Sequence, residues 1–512
     1  MATLDSLKTL RACGGTRLTQ GLDDRQIAAF AERDPNLRKA IDAAHAAFMQ
    51  LQASDPAWIE LDEAAQLARA QADFLNFYAE DAINHYVPLS ACGPWIVTAK
   101  GAVVYDCGGY GMLGFGHNPP LVLEALAKPQ VMANVMTPSL AHVHLGDALK
   151  REIGHTRGGS PYAKFLCLNS GSESVSLAGR FADVNAKLMT ETGARHAGKK
   201  ITRLAIAGGF HGRTELPARY SDSTRQNYIK HLASYARETP PLVTIAPYDV
   251  EQLRRAFADA ERDGRFIEAF FIEPVMGEGN PGLALTPEFY AEARRLTREH
   301  GALLLIDSIQ AGLRAHGVLS IVDYPAFEGL DPPDMETYSK ALNAGQFPLS
   351  VLAVTAATAA LYRKGVYGNT MSTNPRGADI ACAVLAEITP ELRANVRERG
   401  AEFVAKLNAL ASELPGQITG TQGTGLLFSC ELAPEFKCYG TGSTEEYMRQ
   451  RGFGVIHGGI NSLRFTPHFS VTSAEVDLII DGVRDALRNG PRVQILPTAT
   501  EIEEAELTAV ET

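Results

Sequence analysis

Five short segments in the middle of the chain limit its fold more than any other feature. They are F-L-C-L ending at Leu168, R-L-A-I-A ending at Ala207, E-A-F-F-I-E ending at Glu273, A-L-L-L-I-D ending at Asp307, and L-S-V-L-A-V from Leu349. Each is apolar almost throughout instead of alternating, the pattern of a strand covered on both faces. Helical stretches separate them. The clearest has Thr286 as N-cap, Pro287 at the first helical position and Y-A-E-A-R-R-L-T-R-E-H behind it. This alternation predicts a mainly parallel sheet between helices, an α/β domain.

The chain is long enough, at 512 residues, for about three domains. Residues 1–93 carry apolar positions at helical spacing, as in R-Q-I-A-A-F-A-E-R, and predict a helical N-terminal extension with no visible chemistry. W-I-V-T-A-K-G-A-V-V-Y-D predicts a hairpin turning at Lys100-Gly101, within residues 94–140, an N-terminal part of a small domain and linker. Residues 141–375 form the large α/β domain. Residues 376–512 predict a smaller α+β domain: a long helical stretch, strand-like G-L-L-F-S-C-E-L and N-S-L-R-F-T-P, a last amphipathic helix, and an acidic, mobile tail from Thr498.

A net charge of -11 with no basic footprint argues against nucleic acid as a partner. No apolar run is long enough to cross a membrane. The seven cysteines include no C-x-x-C and give neither a disulfide framework nor a metal site. The N-terminus lacks a secretory pattern, so the expected location is cytoplasmic.

Ligands gather outside the carboxyl ends of strands in open α/β sheets, and the unusual residues lie there. N-S-G-S-E follows the first strand and opens a helix, so Gly171 and Ser172 are candidates to hold a phosphate on free N–H groups. By itself such a start is more often only a cap. G-G-F-H-G-R-T follows the second strand. There Phe210 can stack on a planar ring or pack in the core, and Arg213 can grip a carboxylate or face solvent. Glu278, in a Gly-rich loop, gains interest only if an arginine meets it. Asp307 is a strand-end carboxylate that burial makes costly without a cationic partner. It either caps a turn or faces the pyridinium nitrogen of pyridoxal 5'-phosphate (PLP), with Ile309 under the ring and Gln310 beside its phenolate oxygen. Lys340, alone in the small turn of Y-S-K-A-L-N-A-G, is then the amine that forms the Schiff base.

The ordered set G-H-N-P-P, N-S-G-S-E, F-H-G-R-T, I-E-P-V-M-G-E-G, L-I-D-S-I-Q-A-G, Y-S-K-A-L and T-M-S-T-N-P resembles the class III (ω-amino acid) aminotransferases of the ornithine and 4-aminobutyrate type. The resemblance runs from about Trp95 to Leu487. It implies PLP-dependent transferase fold type I. Lys340 would be the Schiff-base lysine and Asp307 the partner of the pyridine nitrogen. Gly171, Ser172, Phe210, Ile309 and Gln310 would hold the rest of the cofactor. Thr370 matches a threonine that reaches the phosphate of a neighbouring subunit, which implies a homodimer with shared sites. Tyr110, Arg213, Glu278 and Arg464 match substrate-side residues. Of these, Arg464 would receive an α-carboxylate, Arg213 a distal carboxylate, and Glu278 would mask Arg464 when an ω-amine is bound.

The implied reaction is ping-pong transamination between an amino acid or ω-amine donor and a keto acid such as 2-oxoglutarate or pyruvate. The chain departs from the family at Ser308, Ala311 and Arg314. Another PLP reaction on the same scaffold (aminomutase, racemase, decarboxylase or carbon–carbon bond formation) is therefore the alternative. A silent scaffold protein is disfavoured by Lys340 with Asp307, and a nucleotide-binding fold by the lack of G-x-G-x-x-G after a strand.

Overall fold

All five apolar segments enter one sheet. The computed structural model describes residues 2–79, 82–131, 134–238 and 241–493, so the acidic tail from Thr498 lies outside the described residues. Three strands come first: β1 (Pro88–Cys92), β2 (Trp95–Thr98) and β3 (Val103–Asp106). The large sheet is built from β4 (Lys164–Leu168), β5 (Lys200–Ile206), β6 (Val243–Ile245), β7 (Arg265–Ile272), β8 (Leu303–Asp307), β9 (Met335–Tyr338) and β10 (Ser350–Val354). Their spatial order is β4-β10-β9-β8-β7-β5-β6. Pairs from β9 through β6 are parallel, while β10 runs antiparallel to both of its neighbours. Every residue of β8 and β10 is buried, which is why these strands read as unbroken apolar runs.

Two of the seven strands were not expected. β6 is a short edge strand of three residues. β9 is central, yet D-M-E-T-Y-S reads as a polar approach to a turn. Glu336 explains the difference, since it is a fully buried carboxylate in the middle of the strand. It accepts hydrogen bonds from Ser308 Oγ (2.6 Å), Tyr162 OH (2.6 Å) and Ile321 N (2.9 Å), and from Ser320 Oγ. A buried polar group satisfied this fully is tolerated inside a sheet.

Helices flank the sheet. The helix Gly171–Thr190 lies against it, burying Val175, Leu177, Ala178, Phe181 and Ala182 in a cluster with Phe271, Leu305 and Leu352. The helix Pro287–His300 begins as expected, with Thr286 Oγ1 accepting from Phe289 N, and stops at Gly301, whose φ of +73° favours glycine.

The remaining strands are β11 (Ile418–Thr424), β12 (Leu427–Leu432), β13 (Phe453–Gly454), β14 (Ile456–Gly458) and β15 (Ser462–Phe465). β11, β12, β15 and β14 form an antiparallel sheet in that order. β13 instead pairs in parallel with β3, so a strand from each end of the chain closes the sheet β1-β2-β3-β13. The hairpin β2–β3 turns at Gly101 (φ +72°). Lys100 at that turn is buried, its Nζ donating to Gly14 O (2.6 Å) and Ile59 O (2.7 Å) and so tying the hairpin to the helical N-terminal segments. Among the described residues no helix is long and apolar enough to cross a membrane.

Candidate active site

The carboxyl ends of β5, β7, β8 and β9 meet the start of the helix Gly171–Thr190 around a cavity of about 300 Å³. Its walls include Gly171, Ser172, Phe210, Asp307, Ile309, Gln310 and Lys340. Seven residues singled out from scattered motifs therefore share one space.

Asp307 ends β8 and is buried. Its Oδ2 takes a hydrogen bond from His211 Nδ1 (2.9 Å), and its Oδ1 takes bonds from Thr337 Oγ1 (3.2 Å) and Ile309 N (3.2 Å). The β8–β9 register sets Asp307 opposite Thr337, so the strand missed in the sequence supplies one of these donors. Lys340 lies just beyond β9. The turn it opens closes through Ala344 (φ +53°) and Gly345 (φ +67°), with Gly345 N donating to Lys340 O. Desolvation, with the nearby positive charge of Arg464 second, pulls the Lys340 ammonium down to a pKa of about 7; Glu278, Asp307 and Glu273 oppose it. The amine is therefore partly neutral at physiological pH, which a nucleophile requires.

The start of the helix offers free N–H groups that could hold an anion. Ser170 caps it by accepting from Glu173 N, and the N–H groups of Gly171 and Ser172 have no intrahelical acceptor. The cradle has no spare room. A Cβ at Gly171 would sit 2.7 Å from Ile309 Cδ1, and one at Gly212 (φ +117°) would sit 2.5 Å from Ser172 Oγ. Two polar atoms at the site, Gln310 Oε1 and His211 Nε2, are buried with no hydrogen-bond partner among the described residues. Free helix-start N–H groups, a buried carboxylate, the Gln310 side-chain amide and a low-pKa lysine around one space fit pyridoxal phosphate.

Two cavity groups were missed. His211 is inside the quoted F-H-G-R-T, beside two residues that were chosen. Glu273 also lines the cavity; burial first, then Asp307, pushes its carboxyl up to about 7 against the pull of His211. It accepts from Phe210 N (3.0 Å) and Gly277 N (2.9 Å). As the last residue of an apolar strand segment it carried the same signal as Asp307.

The substrate-side candidates lie beside this cavity. Tyr110 lines an adjoining space of about 370 Å³, and Met112 lines both. The Arg464 guanidinium stands 5.6 Å from the Tyr110 ring centre and donates to Gly277 O. Arg213 Nη2 is 3.7 Å from Glu278 Oε1. An arginine does meet Glu278, and the one paired with it is Arg213. Thr370 is not brought to the cavity. It is exposed, and its carbonyl accepts from Asn134 Nδ2 (3.1 Å).

The departures from the family pattern are accounted for by packing. Ser308 supports Glu336, and Ala311 is buried in the core. Arg314 is fully buried with no carboxylate partner among the described residues, donating to Leu426 O (3.2 Å), Pro467 O and Gly111 O (3.5 Å). Burial lowers its pKa to about 9.

The family profile described as "Aminotransferase class-III" matches residues 77–487. An ornithine aminotransferase of Bacillus subtilis is 28% identical over 415 residues, covering 79% of this chain and 95% of that one. An acetylornithine aminotransferase of Vibrio parahaemolyticus is 30% identical over 411 residues, covering 74% and 90%. A putrescine aminotransferase of Pectobacterium atrosepticum is 28% identical, covering 78% and 81%. The crystal structure of an ornithine aminotransferase from Toxoplasma gondii ME49 shares the fold, with a TM-score of 0.68 over 83% of this chain and 95% of that one at 23% identity. The chain belongs to the class-III aminotransferases, PLP-dependent enzymes that move an amino group from an amino donor to a keto acid.

Proposed function

We propose that the donor is an amino acid carrying its reactive amine at one end and a carboxylate at the other, of the ornithine kind, and that 2-oxoglutarate is the acceptor. The observation that carries this reading is the pair of arginines beside one cavity, Arg464 bonded to the Gly277 carbonyl and Arg213 paired with the next residue, Glu278. Two cations at one mouth suit a substrate set with carboxylates at more than one position. The weak 3.7 Å pair leaves Glu278 free to exchange partners.

In this reading Gly171 and Ser172 hold the cofactor phosphate, Phe210 and Ile309 cover the ring, Gln310 sits at its oxygen and Asp307 at its nitrogen. When bound, the cofactor supplies an electron sink for the carbanion formed at the amine-bearing carbon. His211, Thr337 and the Ile309 N–H hold the Asp307 carboxylate in place. Lys340 Nζ, its pKa near neutrality, takes the proton from the amine-bearing carbon and can give it back. Arg464 and Arg213 orient the substrate through its carboxylates.

We divide the chain into a helical extension (1–93), a small-domain segment (94–140), the cofactor domain (141–375) and a C-terminal domain (376–512). We place Thr370 in the site of a second copy. Support comes from its exposure and from exposed apolar residues next to it or to its partner Asn134: Val135, Met136 and Met371. Free thiols at all seven cysteines fit a reducing compartment, so we assign the enzyme to the cytoplasm.

A donor screen against 2-oxoglutarate and pyruvate tests the reading. The expected result is turnover with ω-amino acids and 2-oxoglutarate, lost for the dicarboxylate in Arg464→Ala. Equal use of pyruvate by the wild-type enzyme and no effect of Arg464→Ala would overturn it.

A further inference from the structure

Arg213 is unusual for an exposed arginine in having two aromatic neighbours. Its guanidinium carbon lies 5.5 Å from the ring centre of Phe210 and 5.7 Å from that of Tyr78. Both distances are inside cation–π range. Phe210 belongs to the cofactor cavity. Tyr78 comes from the segment after the helix Glu63–Gln71, in the N-terminal region that carries no chemistry in the sequence.

Tyr78 is held there locally. Its backbone N–H donates to Asn76 Oδ1 (2.9 Å), and its ring packs on Phe77 at 5.1 Å. It also lies near Tyr110. Burial raises the Tyr110 hydroxyl pKa, Arg464 lowers it, and the Tyr78 hydroxyl raises it further. Tyr78 therefore stands near both substrate-side groups, Arg213 and Tyr110.

The Arg213 side chain is 43% exposed, and its one ion pair among the described residues, at 3.7 Å, is loose. An arginine like that loses rotamer freedom when it closes on a carboxylate, and the loss weakens binding. Two aromatic rings restrict the guanidinium before substrate arrives, without neutralising it. The Glu278 carboxylate, loosely paired at 3.7 Å, must give way to the substrate's own carboxylate, whereas the rings do not compete with it.

We infer that Tyr78 is a positioning residue that acts through Arg213, and that it gives the site its preference for donors with a distal carboxylate. The inference rests on the proposed reading that Arg213 binds that carboxylate. It gives the N-terminal region a task in substrate selection.

The test uses the PLP-loaded enzyme and two donors of equal length, 5-aminopentanoate and pentylamine, which differ by the carboxylate. In Tyr78→Ala the KM for 5-aminopentanoate should rise about three- to tenfold, the range of one cation–π contact. Its kcat should stay within about twofold, and pentylamine kinetics should not change. Tyr78→Phe keeps the ring and should behave as wild type. Glutarate binding to the same loaded enzyme, read by calorimetry, should weaken in Tyr78→Ala and not in Tyr78→Phe. The inference is overturned if Tyr78→Ala changes nothing, affects both donors alike, or lowers kcat instead of raising KM. It is also overturned if Tyr78→Phe is as impaired as Tyr78→Ala. Arg213→Ala separates this failure from that of the underlying reading. If Arg213→Ala abolishes discrimination between the donors while Tyr78→Ala does not, only the role of Tyr78 falls. If Arg213→Ala leaves discrimination intact, the carboxylate role of Arg213 falls first.

Discussion

The roles proposed for Asp307 and Lys340 depend on what surrounds them. A buried carboxylate without donors would take up a proton or destabilise the fold, and three donors hold Asp307 instead. His211→Ala removes the donor on Oδ2, and the loss of one hydrogen bond to a charged group should lower kcat about 10- to 100-fold. Steady-state rates on cofactor-saturated protein check this, and a kcat within about twofold of wild type would count against the arrangement. Lys340 carries a pH signature. Its pKa is lowered from 10.5 to about 7, so in the cofactor-free protein the amine is mostly neutral above about pH 7 rather than above about 10. Acylation of Lys340 by an amine-selective reagent should rise with pH to a midpoint near 7; a midpoint near that of exposed lysines would contradict the desolvation argument. Asp307 and the ring-flanking residues were legible because they lie at or just after the ends of strands whose apolar pattern is unmistakable, and Lys340 because it stands alone in a small, Gly-containing turn. His211 was not, since nothing in the sequence says which neighbour of a chosen residue turns inward, whereas Glu273 carried the strand-end signal of Asp307 and was passed over.

Strand ends and a helix start make the cavity, and small changes in them should be felt at once. Gly212 is the sharpest case, because its φ of +117° and the 2.5 Å approach of Ser172 Oγ both exclude a side chain. Gly212→Ala should weaken cofactor affinity at least about tenfold, equivalent to about 1.4 kcal/mol, with little loss of secondary structure. Fluorescence titration of the apoprotein with PLP measures it, and unchanged affinity would mean that the cradle tolerates displacement. At this scale the sequence was readable wherever burial is complete. β9 escaped because Glu336 interrupts its apolar pattern, and the four groups that satisfy that carboxylate come from distant segments. The antiparallel direction of β10 was hidden for another reason. Strand direction follows from the connection, and an all-buried strand reads the same in either sense.

Both ends of the chain contribute to the whole molecule. β13 closes the N-terminal sheet, Arg314 ties the segment after β8 to carbonyls of residues 111, 426 and 467, and Lys100 ties the hairpin to the helical extension. Such long-range partners leave no periodic signal in sequence, so the division into domains was harder to read than the elements. Assembly is the other property at this scale. Met136 and Met371 are 75% and 68% exposed near Thr370, and burying them between two copies would remove apolar surface from water. In the homodimer we propose, Met136→Glu with Met371→Glu should shift the protein from dimer to monomer in sedimentation velocity and reduce activity with it; a wild-type monomer would contradict the dimer, and an unchanged dimer would move the interface elsewhere. The central claim, that this chain builds one PLP site around a single lysine, has a more direct test. The purified protein is loaded with PLP, reduced with borohydride and mapped by peptide mass spectrometry. The account expects the pyridoxyl group on the peptide containing Lys340 and none in Lys340→Ala, whereas a label on another lysine, or none in the wild-type protein, would contradict it.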